Sequence, residues 1–319
     1  FHFQETIAIF TITFLLTFII ALVDGYMQFF FSEGIFSISA PGSRLTLLMN
    51  DKLILGGYLS RLFPLIIGLL IYNFSAKKIN LFICAALLIL ADVLVYLTGE
   101  RTAIALLVIS TIFIIFLISR FKLFRILTLL VSIFLIIIIS IYNPIIKNRN
   151  ISATIYQINP PNENIQIFSK THDNLYKTSM NIFLDNPIFG VGPKLFRKYC
   201  SNEEYMYSIK AYSCSSHPHN SYFQLLSETG LFGFLFVFSI FLYVMYLSFM
   251  QFLVSYTPLI KTKTYKKFDD FQICLIACFL LTLFPFLPTQ NFFNNWINII
   301  YFLPVGFFLQ SVYKDNMHL

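Results

Sequence analysis

The sequence contains little charge: only 12% of its 319 residues are Asp, Glu, Lys or Arg, whereas about 25% is usual in a soluble domain. Hydrophobic residues make up 57% of the chain, and the mean hydropathy is +0.75. Because the apolar residues are spread over the whole length, they cannot all be buried in one core. These values exclude a soluble globular protein and predict an integral membrane protein.

Other features are scarce as well. The five cysteines include no C-x-x-C pair and show no spacing typical of a metal site. The basic residues behind the net charge of +7 occur in short clusters and not in one stripe, which argues against nucleic-acid binding. No internal repeat of long period is visible, which weakens the inverted-repeat architectures of transporters. Phe1 stands where an initiator Met is expected, and we therefore expect a truncated N-terminus.

Long apolar runs predict the fold class. About 20 apolar residues at 1.5 Å each cross the hydrocarbon core of a bilayer. Runs of this length, separated by charged or turn residues, predict an all-α integral membrane protein with about eight transmembrane helices. They cover residues 3–23, 53–74, 79–97, 102–119, 124–142, 228–254, 271–288 and 296–312.

Basic residues in short loops indicate the topology, because such loops resist translocation. They occupy alternate connections, which predicts that both termini are cytoplasmic. The predicted cytoplasmic residues are Lys77, Lys78, Arg120, Lys122, Arg125, Lys261, Lys263, Lys266, Lys267 and Lys314. The chain then divides into N-terminal transmembrane helices (1–142), one large extracytoplasmic loop domain (143–218) and C-terminal transmembrane helices (219–319).

The large loop has its own sequence signals. The pattern of residues 171–186 predicts an amphipathic helix with Leu175, Ser179, Ile182 and Phe183 on one face, and residues 190–193 predict a turn. Two cysteines, Cys200 and Cys214, also lie in this loop. They either form a disulfide in an oxidising compartment or remain two thiols.

Three arginines are candidate ligands for an anion. Arg61 lies inside the helix predicted over residues 53–74, where its charge needs a partner, and Asp92 is the candidate at similar depth. Alternatively, Arg61 faces a wet cavity and meets an anionic substrate. Arg101 lies at the tip of a tight hairpin, where its planar guanidinium suits oxyanions, unless it is an interfacial anchor. Arg44 precedes it on the same predicted outer face and is otherwise a solvated loop charge.

The most informative segment begins at His217-Pro218-His219-Asn220, where a polar loop becomes an apolar helix. A neutral imidazole titrates near pH 6.5, so at neutral pH it can accept a proton from a hydroxyl nucleophile. A structural loop histidine is the alternative interpretation. If the helix begins near His219, Gly230 and Gly233 lie on its face and predict a groove for a neighbouring helix or a lipid chain.

Two further residues of this segment have predicted roles. Asn220 either orients His219 or caps the helix, and we favour the capping role. Glu228 lies two turns into the helix, where it either lines a ligand groove or pairs with a basic side chain.

These residues resemble a known family, the O-antigen ligases and the related O-antigen polymerases. His219-Asn220, nine residues and then Gly230-Leu231-Phe232-Gly233 match the family's H-[NSQ]-x9-G-x-x-G motif without a gap. Residues 186–193 are similar to its N-P-x-x-G-x-G-P turn, and the segments around Arg44 and Arg101 are similar to its outer arginine segments. The resemblance covers about residues 40–255.

The resemblance implies a metal-independent and cofactor-free glycosyltransferase on the periplasmic face of a bacterial inner membrane. The glycan would move from an undecaprenyl-diphosphate carrier to an acceptor sugar hydroxyl, which lipid A-core supplies in a ligase. His219 would be the general base, and the diphosphate would be bound by Arg44, Arg101 and Arg61. A polymerase, whose acceptor is another lipid-linked repeat unit, is the main alternative, and a membrane transporter is an alternative from a different class.

Overall fold

The computed structural model describes residues 3–35, 44–46, 54–74, 81–160, 165–257 and 267–317. The regular structure of these residues is helical, as the sequence predicts. The first five helices are α1 (Phe3–Phe31), α2 (Leu55–Phe74), α3 (Leu81–Leu97), α4 (Arg101–Leu117) and α5 (Lys122–Tyr142). Short elements follow: α6 (Pro144–Lys147), a π-helical turn (Asn148–Ser152), α7 (Ala153–Ile158), α8 (Lys170–Asp185), α9 (Phe196–Tyr199) and α10 (Lys210–Ser213). The last three are α11 (Ser221–Tyr256), α12 (Asp270–Thr282) and α13 (Asn295–Met317).

Helices occur at all eight predicted positions, but their lengths differ. Four of those described are long and apolar enough to cross a membrane: Ile7–Phe31, Leu55–Asn73, Lys122–Tyr142 and Ser221–Tyr256. Four apolar helices are shorter: Leu81–Leu97, Arg101–Leu117, Asp270–Thr282 and Asn298–Tyr313. The total of eight transmembrane helices therefore stays a prediction. The span predicted over residues 271–288 is too long, because the helix ends at Thr282, before Pro285 and Pro288.

The chain forms two compact units. The first contains Phe1–Ser152, Ser248–Leu281 and Pro304–Leu319, and the second contains Ala153–Leu247 and Thr282–Leu303. Most of the loop predicted as a separate domain thus groups with the first part of α11 and with residues 282–303. Five of the predicted cytoplasmic lysines lie outside the described residues: Lys77, Lys78, Lys261, Lys263 and Lys266.

In the first unit, α2 is the most buried of the long helices and packs against α1, α3 and α4. The long α5 packs against α3 on one side and leaves most of its apolar surface exposed, as expected for a helix that faces lipid. Its exposed side chains include Leu123, Leu127, Leu130, Phe134 and Ile137.

A buried polar network joins four helices of this unit and corrects the predicted Arg61–Asp92 pair. The carboxylate of Asp92 on α3 binds the guanidinium of Arg125 on α5 through two hydrogen bonds of 2.7 and 2.9 Å. Thr111 on α4 accepts a third bond from Arg125, and Ser132 donates to Asp92. The Phe63 ring of α2 lies 4.7 Å from the same guanidinium. Arg125 is therefore a buried helix-bundle residue, although its position suggested a cytoplasmic loop charge.

In the second unit, α8 confirms the predicted amphipathic helix. Ser169 caps its first turn by accepting from the His172 N–H, and the helix ends at Asp185 before Asn186-Pro187. Leu175, Ser179 and Ile182 are buried as predicted, whereas Phe183 is half-buried. Cys200 packs against this face and forms a disulfide with Cys214, so the two cysteines of the loop are bridged.

Candidate active site

His219 and Asn220 form the entry to α11 in the second unit. The backbone of His219 is left-handed, with φ +59°, a conformation that a non-glycine residue adopts uncommonly. Asn220 Oδ1 accepts from the N–H groups of Tyr222 (2.9 Å) and Phe223 (3.3 Å), which confirms the predicted capping role. Asn220 Nδ2 donates to the Pro285 carbonyl at 2.7 Å. The helix therefore begins at Ser221. His219 lies outside it, in a loop that the hydrogen bonds of Asn220 connect to the start of the helix and to Pro285.

The imidazole of His219 lies in a cluster of three histidines. Its ring centroid is 4.1 Å from that of His217 and 5.7 Å from that of His172. The Ser215 hydroxyl lies 3.3 Å from Nε2 of His219. His219 is half-buried and reachable by solvent, whereas His217 is buried. The cluster thus presents two half-buried imidazoles, those of His219 and His172, beside the buried His217.

Burial keeps this cluster uncharged. It lowers the pKa of His219 below the ordinary value, so the imidazole is neutral at pH 7. Burial, assisted by the charge of His219, lowers the pKa values of His172 and His217 to about 4. A stack of rings holds His172 in place, because the Tyr176 ring lies parallel to it and stacks on Phe223 with 4.5 Å between centroids.

The continuous helical face predicted to carry the two motif glycines is interrupted in the structure. Gly230 has φ 64° and ψ −161°, which is not helical, and it bends α11 at this point. The stripe expected for a straight helix from His219 is therefore interrupted. A Cβ atom on Gly230 would collide with the backbone carbonyl of Ile188, and one on Gly233 would collide with the Thr229 side chain of the same helix.

The bend allows residues 187–192 to pair with α11 backbone to backbone. Leu231 N donates to Pro187 O at 2.8 Å, and Gly192 N donates to Glu228 O at 2.9 Å. A Cβ atom on Gly190 would collide with the backbone of Glu228. The N-P-x-x-G-x-G-P and H-N-x9-G-x-x-G segments are therefore two sides of one contact, and glycine is required on each side.

Glu228 has neither of its two predicted roles. Its buried carboxylate accepts from the backbone N–H groups of Lys194 and Phe196, both at 2.9 Å. Gln224 Nε2 donates to it at 3.0 Å. Glu228 thus fixes the turn that leads into α9, and it is occupied by backbone donors instead of a ligand or a basic side chain.

The candidate arginines share a cluster in the first unit, arranged around Glu100. The Glu100 carboxylate accepts from the N–H groups of Gly56 (2.9 Å) and Gly57 (3.1 Å) at the start of α2. Burial raises the pKa of Glu100, although these bonds and the charges of Arg44 and Arg61 favour its ionised form. The buried Nε of Arg44 donates to no atom of the described residues.

A fourth arginine, Arg149, belongs to the same cluster. Its Nε donates to the Gly99 carbonyl at 3.1 Å, so it lies on the α3–α4 hairpin. Burial and the charges of Arg44 and Arg101 lower its pKa, and Glu100 acts in the opposite direction. Arg44, Arg61 and Arg149 therefore act electrostatically on Glu100, and Arg101 acts on Arg149, which leaves an excess of positive charge that suits an oxyanion.

Comparison with protein families tests the resemblance that these motifs show to the O-antigen ligases. The O-antigen ligase family model matches residues 84–238. Residues 84–238 belong to the O-antigen ligase family. Comparison with curated proteins and with solved structures gave no match. The O-antigen ligase region includes Arg101, Arg149, His219 and the motif glycines, whereas Arg44 and Arg61 precede it. The family match and the apolar helices together indicate a multi-pass membrane protein with a ligase- or polymerase-type function.

Residues 283–294 lie beyond the O-antigen ligase region and hydrogen-bond to the candidate site. The sequence analysis did not predict this contact. Thr289 N donates to the His219 carbonyl at 2.8 Å, and Asn291 Oδ1 accepts from Gln224 Nε2 at 2.9 Å. The sequence does contain a signal that this segment is not a plain membrane helix. Two prolines and the polar run Thr289-Gln290-Asn291 interrupt an otherwise apolar segment. Arg149 was also missed, since it has no motif of its own, and Glu100 was considered only as a partner for Arg101. Among the described residues, no group of three or more His, Cys, Asp or Glu is arranged to hold a metal ion.

Proposed function

We propose that this protein transfers a glycan from an undecaprenyl-diphosphate carrier to a sugar hydroxyl, which lipid A-core supplies in the ligase reaction. The observation that carries the proposal is the half-buried, neutral imidazole of His219, held with a left-handed backbone within the matched family region. Unusual backbone conformations cluster at functional sites, because the surrounding structure must stabilise them. Here the Asn220 cap and the Thr289 hydrogen bond supply that support.

His219 is proposed as the general base. The acceptor hydroxyl oxygen attacks the anomeric carbon of the donor sugar while the bond from that carbon to the diphosphate oxygen breaks. The hydroxyl proton passes to the His219 imidazole, and the lipid diphosphate leaves with the bonding electron pair. Attack opposite the leaving group inverts the anomeric configuration. A neutral imidazole is required for this step, and the lowered pKa of His219 supplies it at pH 7.

The arginine cluster is proposed to bind the donor diphosphate. Arg44, Arg101 and Arg61 donate charge-assisted hydrogen bonds to phosphate oxygens, and Arg149 adds a fourth guanidinium. Their charge stabilises the leaving diphosphate, so we propose that the transfer needs no metal ion or cofactor. Glu100 is a positioning residue, because it connects the hairpin to the start of α2.

We propose that the protein lies in a bacterial inner membrane with both termini in the cytoplasm and His219 on the periplasmic side. The alternating basic clusters favour this topology. The Cys200–Cys214 disulfide favours an oxidising compartment for the loop. Alkaline phosphatase fused after residue 204 should be active, and the same enzyme fused after residue 121 should be inactive. The opposite pattern would overturn the topology.

Deletion of the gene in its host tests the function and separates ligase from polymerase. Loss of a ligase should leave long lipid-linked polymer that is not attached to lipid A-core, whereas loss of a polymerase should leave single repeat units. Purified protein in nanodiscs should transfer labelled glycan from the lipid diphosphate to the acceptor. Movement of the lipid-linked glycan across the bilayer without any transfer would support the transporter and contradict the proposal.

A further inference from the structure

A basic cleft in the second unit has no role in the reaction described above. It has a volume of about 250 Å³ and is lined by Lys194, Arg197, Asn291, Asn294 and Asn295. Among the described residues, two cations and three carboxamides line it, and no acidic side chain does. Pockets for drug-sized ligands measure roughly 300–1,000 Å³, so a cleft of this smaller size fits one sugar ring or one charged group.

The walls of the cleft are fixed by the same contacts that organise the motif segments. Glu228 accepts from the Lys194 N–H at 2.9 Å and sets the turn from which Lys194 and Arg197 extend. Both oxygens of Glu228 are occupied by hydrogen bonds inside the protein, so the carboxylate is not turned into the cleft. Across the cleft, Asn291 Oδ1 accepts from Gln224 and from the Phe293 N–H, which fixes the orientation of its amide.

The cleft lies next to the histidine cluster. The charge of Arg197 is close enough to act on the titration of His217, whose ring centroid is 4.1 Å from that of His219. The segment that supplies the three asparagines also holds His219 through the Thr289 hydrogen bond. A molecule that presents a hydroxyl to His219 therefore has a second point of attachment within the same unit.

We propose that this cleft binds a carboxylate substituent on the glycan that reacts at His219. Lys194 and Arg197 neutralise the anion, and Arg197 can bind it through two parallel hydrogen bonds. The carboxamides of the asparagines both donate and accept hydrogen bonds, which suits the hydroxyls of the ring that carries the anion. The assignment rests on the proposed function of His219, and it makes the acceptor an acidic glycan.

The test measures binding without transfer. Full-length protein in nanodiscs of zwitterionic lipid is titrated with glucuronic acid, with glucose and with inorganic phosphate, and saturation-transfer NMR reports the bound ligand. We expect glucuronic acid to bind at least tenfold more tightly than glucose and more tightly than phosphate. The double variant Lys194→Gln/Arg197→Gln should lose about tenfold or more of the glucuronic acid affinity.

Lys198→Gln is the matched control, because Lys198 is an exposed cation on the same short helix and does not line the cleft. It should leave binding unchanged, and all variants should keep the wild-type melting temperature since the replaced side chains are exposed. Equal binding of glucose and glucuronic acid, or equal loss in Lys198→Gln, would overturn the proposal. Phosphate binding as tight as glucuronic acid would make the cleft a simple anion site and would also overturn it.

Two further arms separate the remaining explanations. Nanodiscs that contain phosphatidylglycerol should bind glucuronic acid as well as zwitterionic ones do; competition by this lipid would assign the cleft to a headgroup and overturn the proposal. His219→Ala should keep the glucuronic acid affinity while it loses transfer. Normal transfer by His219→Ala would refute the proposed base and leave the binding result intact, so the two failures are distinguishable.

Discussion

At the scale of single residues, the role of a glycine or a carboxylate depends on the backbone segment that it contacts in the folded chain. Gly230 was predicted to leave space on a helical face, because its spacing from His219 assumed a continuous helix. The structure bends α11 at Gly230 and uses the position for a contact with the Ile188 carbonyl. The spacing revealed that the residue matters, but the periodicity alone could not reveal a bend. Glu228 is similar, because its partners are backbone N–H groups that carry no sequence signal.

Replacing Gly230 by Ala should destabilise the protein. The residue combines a positive φ with an extended ψ, a region costing about 1–3 kcal/mol for a residue with a side chain, and the new Cβ would collide with Ile188. Gly306→Ala is the matched control, since a Cβ there has no atom within 4 Å. Its free energy of unfolding should stay within about 1 kcal/mol of wild type. Unfolding in mixed micelles measures both variants, and equal stability of the two would refute this account.

At the scale of helices, local hydrophobicity predicts where a helix lies but not which helix it contacts. Each of the eight apolar runs contains a helix, four of them long and four short, because burial in lipid or core depends on composition alone. The partner of Asp92 depends on the rotation of α3 against its neighbours, and that rotation points it to Arg125 on α5. The sequence analysis chose Asp92 as the partner of Arg61 because the two residues lie at similar depth in the membrane. Depth alone cannot distinguish between such partners.

Breaking the Asp92–Arg125 pair should be costly. Asp92→Ala leaves a buried guanidinium without its carboxylate, and we expect a loss of about 3–5 kcal/mol in the free energy of unfolding. The double variant Asp92→Leu/Arg125→Met removes both charges and should recover most of that loss. As a control, Asp173→Ala breaks the exposed 2.7 Å pair with Lys177, which should leave the stability close to that of wild type because solvent screens the pair. A double variant as unstable as Asp92→Ala would contradict the account.

The second unit should lose stability in acid. His172 and His217 have folded pKa values of about 4, whereas an unfolded histidine titrates near 6.5. Because the unfolded chain binds these protons first, the stability that they contribute is present above pH 6.5 and is lost as the pH falls towards 4. Thermal unfolding at pH 7.0, 5.5 and 4.5 should show a smaller decline for His217→Gln than for wild type. Identical declines would mean that His217 does not contribute.

At the scale of the whole molecule, the protein combines an arginine cluster in one unit with a histidine cluster in the other. The family motifs predicted His219, Arg44 and Arg101, of which His219 and Arg101 lie within the matched residues 84–238. The structure reveals the residues that support the two clusters. They are Arg149 on a π-helical turn, Glu100 in a hairpin, and residues 283–294 from a distant part of the sequence. Arg149 and residues 283–294 lie in no short motif, because they meet the motifs only after folding, whereas Glu100 lies in the motif segment around Arg101.

The most direct test is the rate of glycan transfer by wild type and His219→Ala as a function of pH. Wild-type kcat/KM should fall on acidification with a pKa below 6.5, because protonation removes the base. His219→Ala should lose roughly 100- to 10,000-fold in rate and show no such inflection, whereas the exposed control Ser201→Ala should retain wild-type turnover. A His219→Ala enzyme that folds normally and transfers glycan within about twofold of wild type would contradict the central claim.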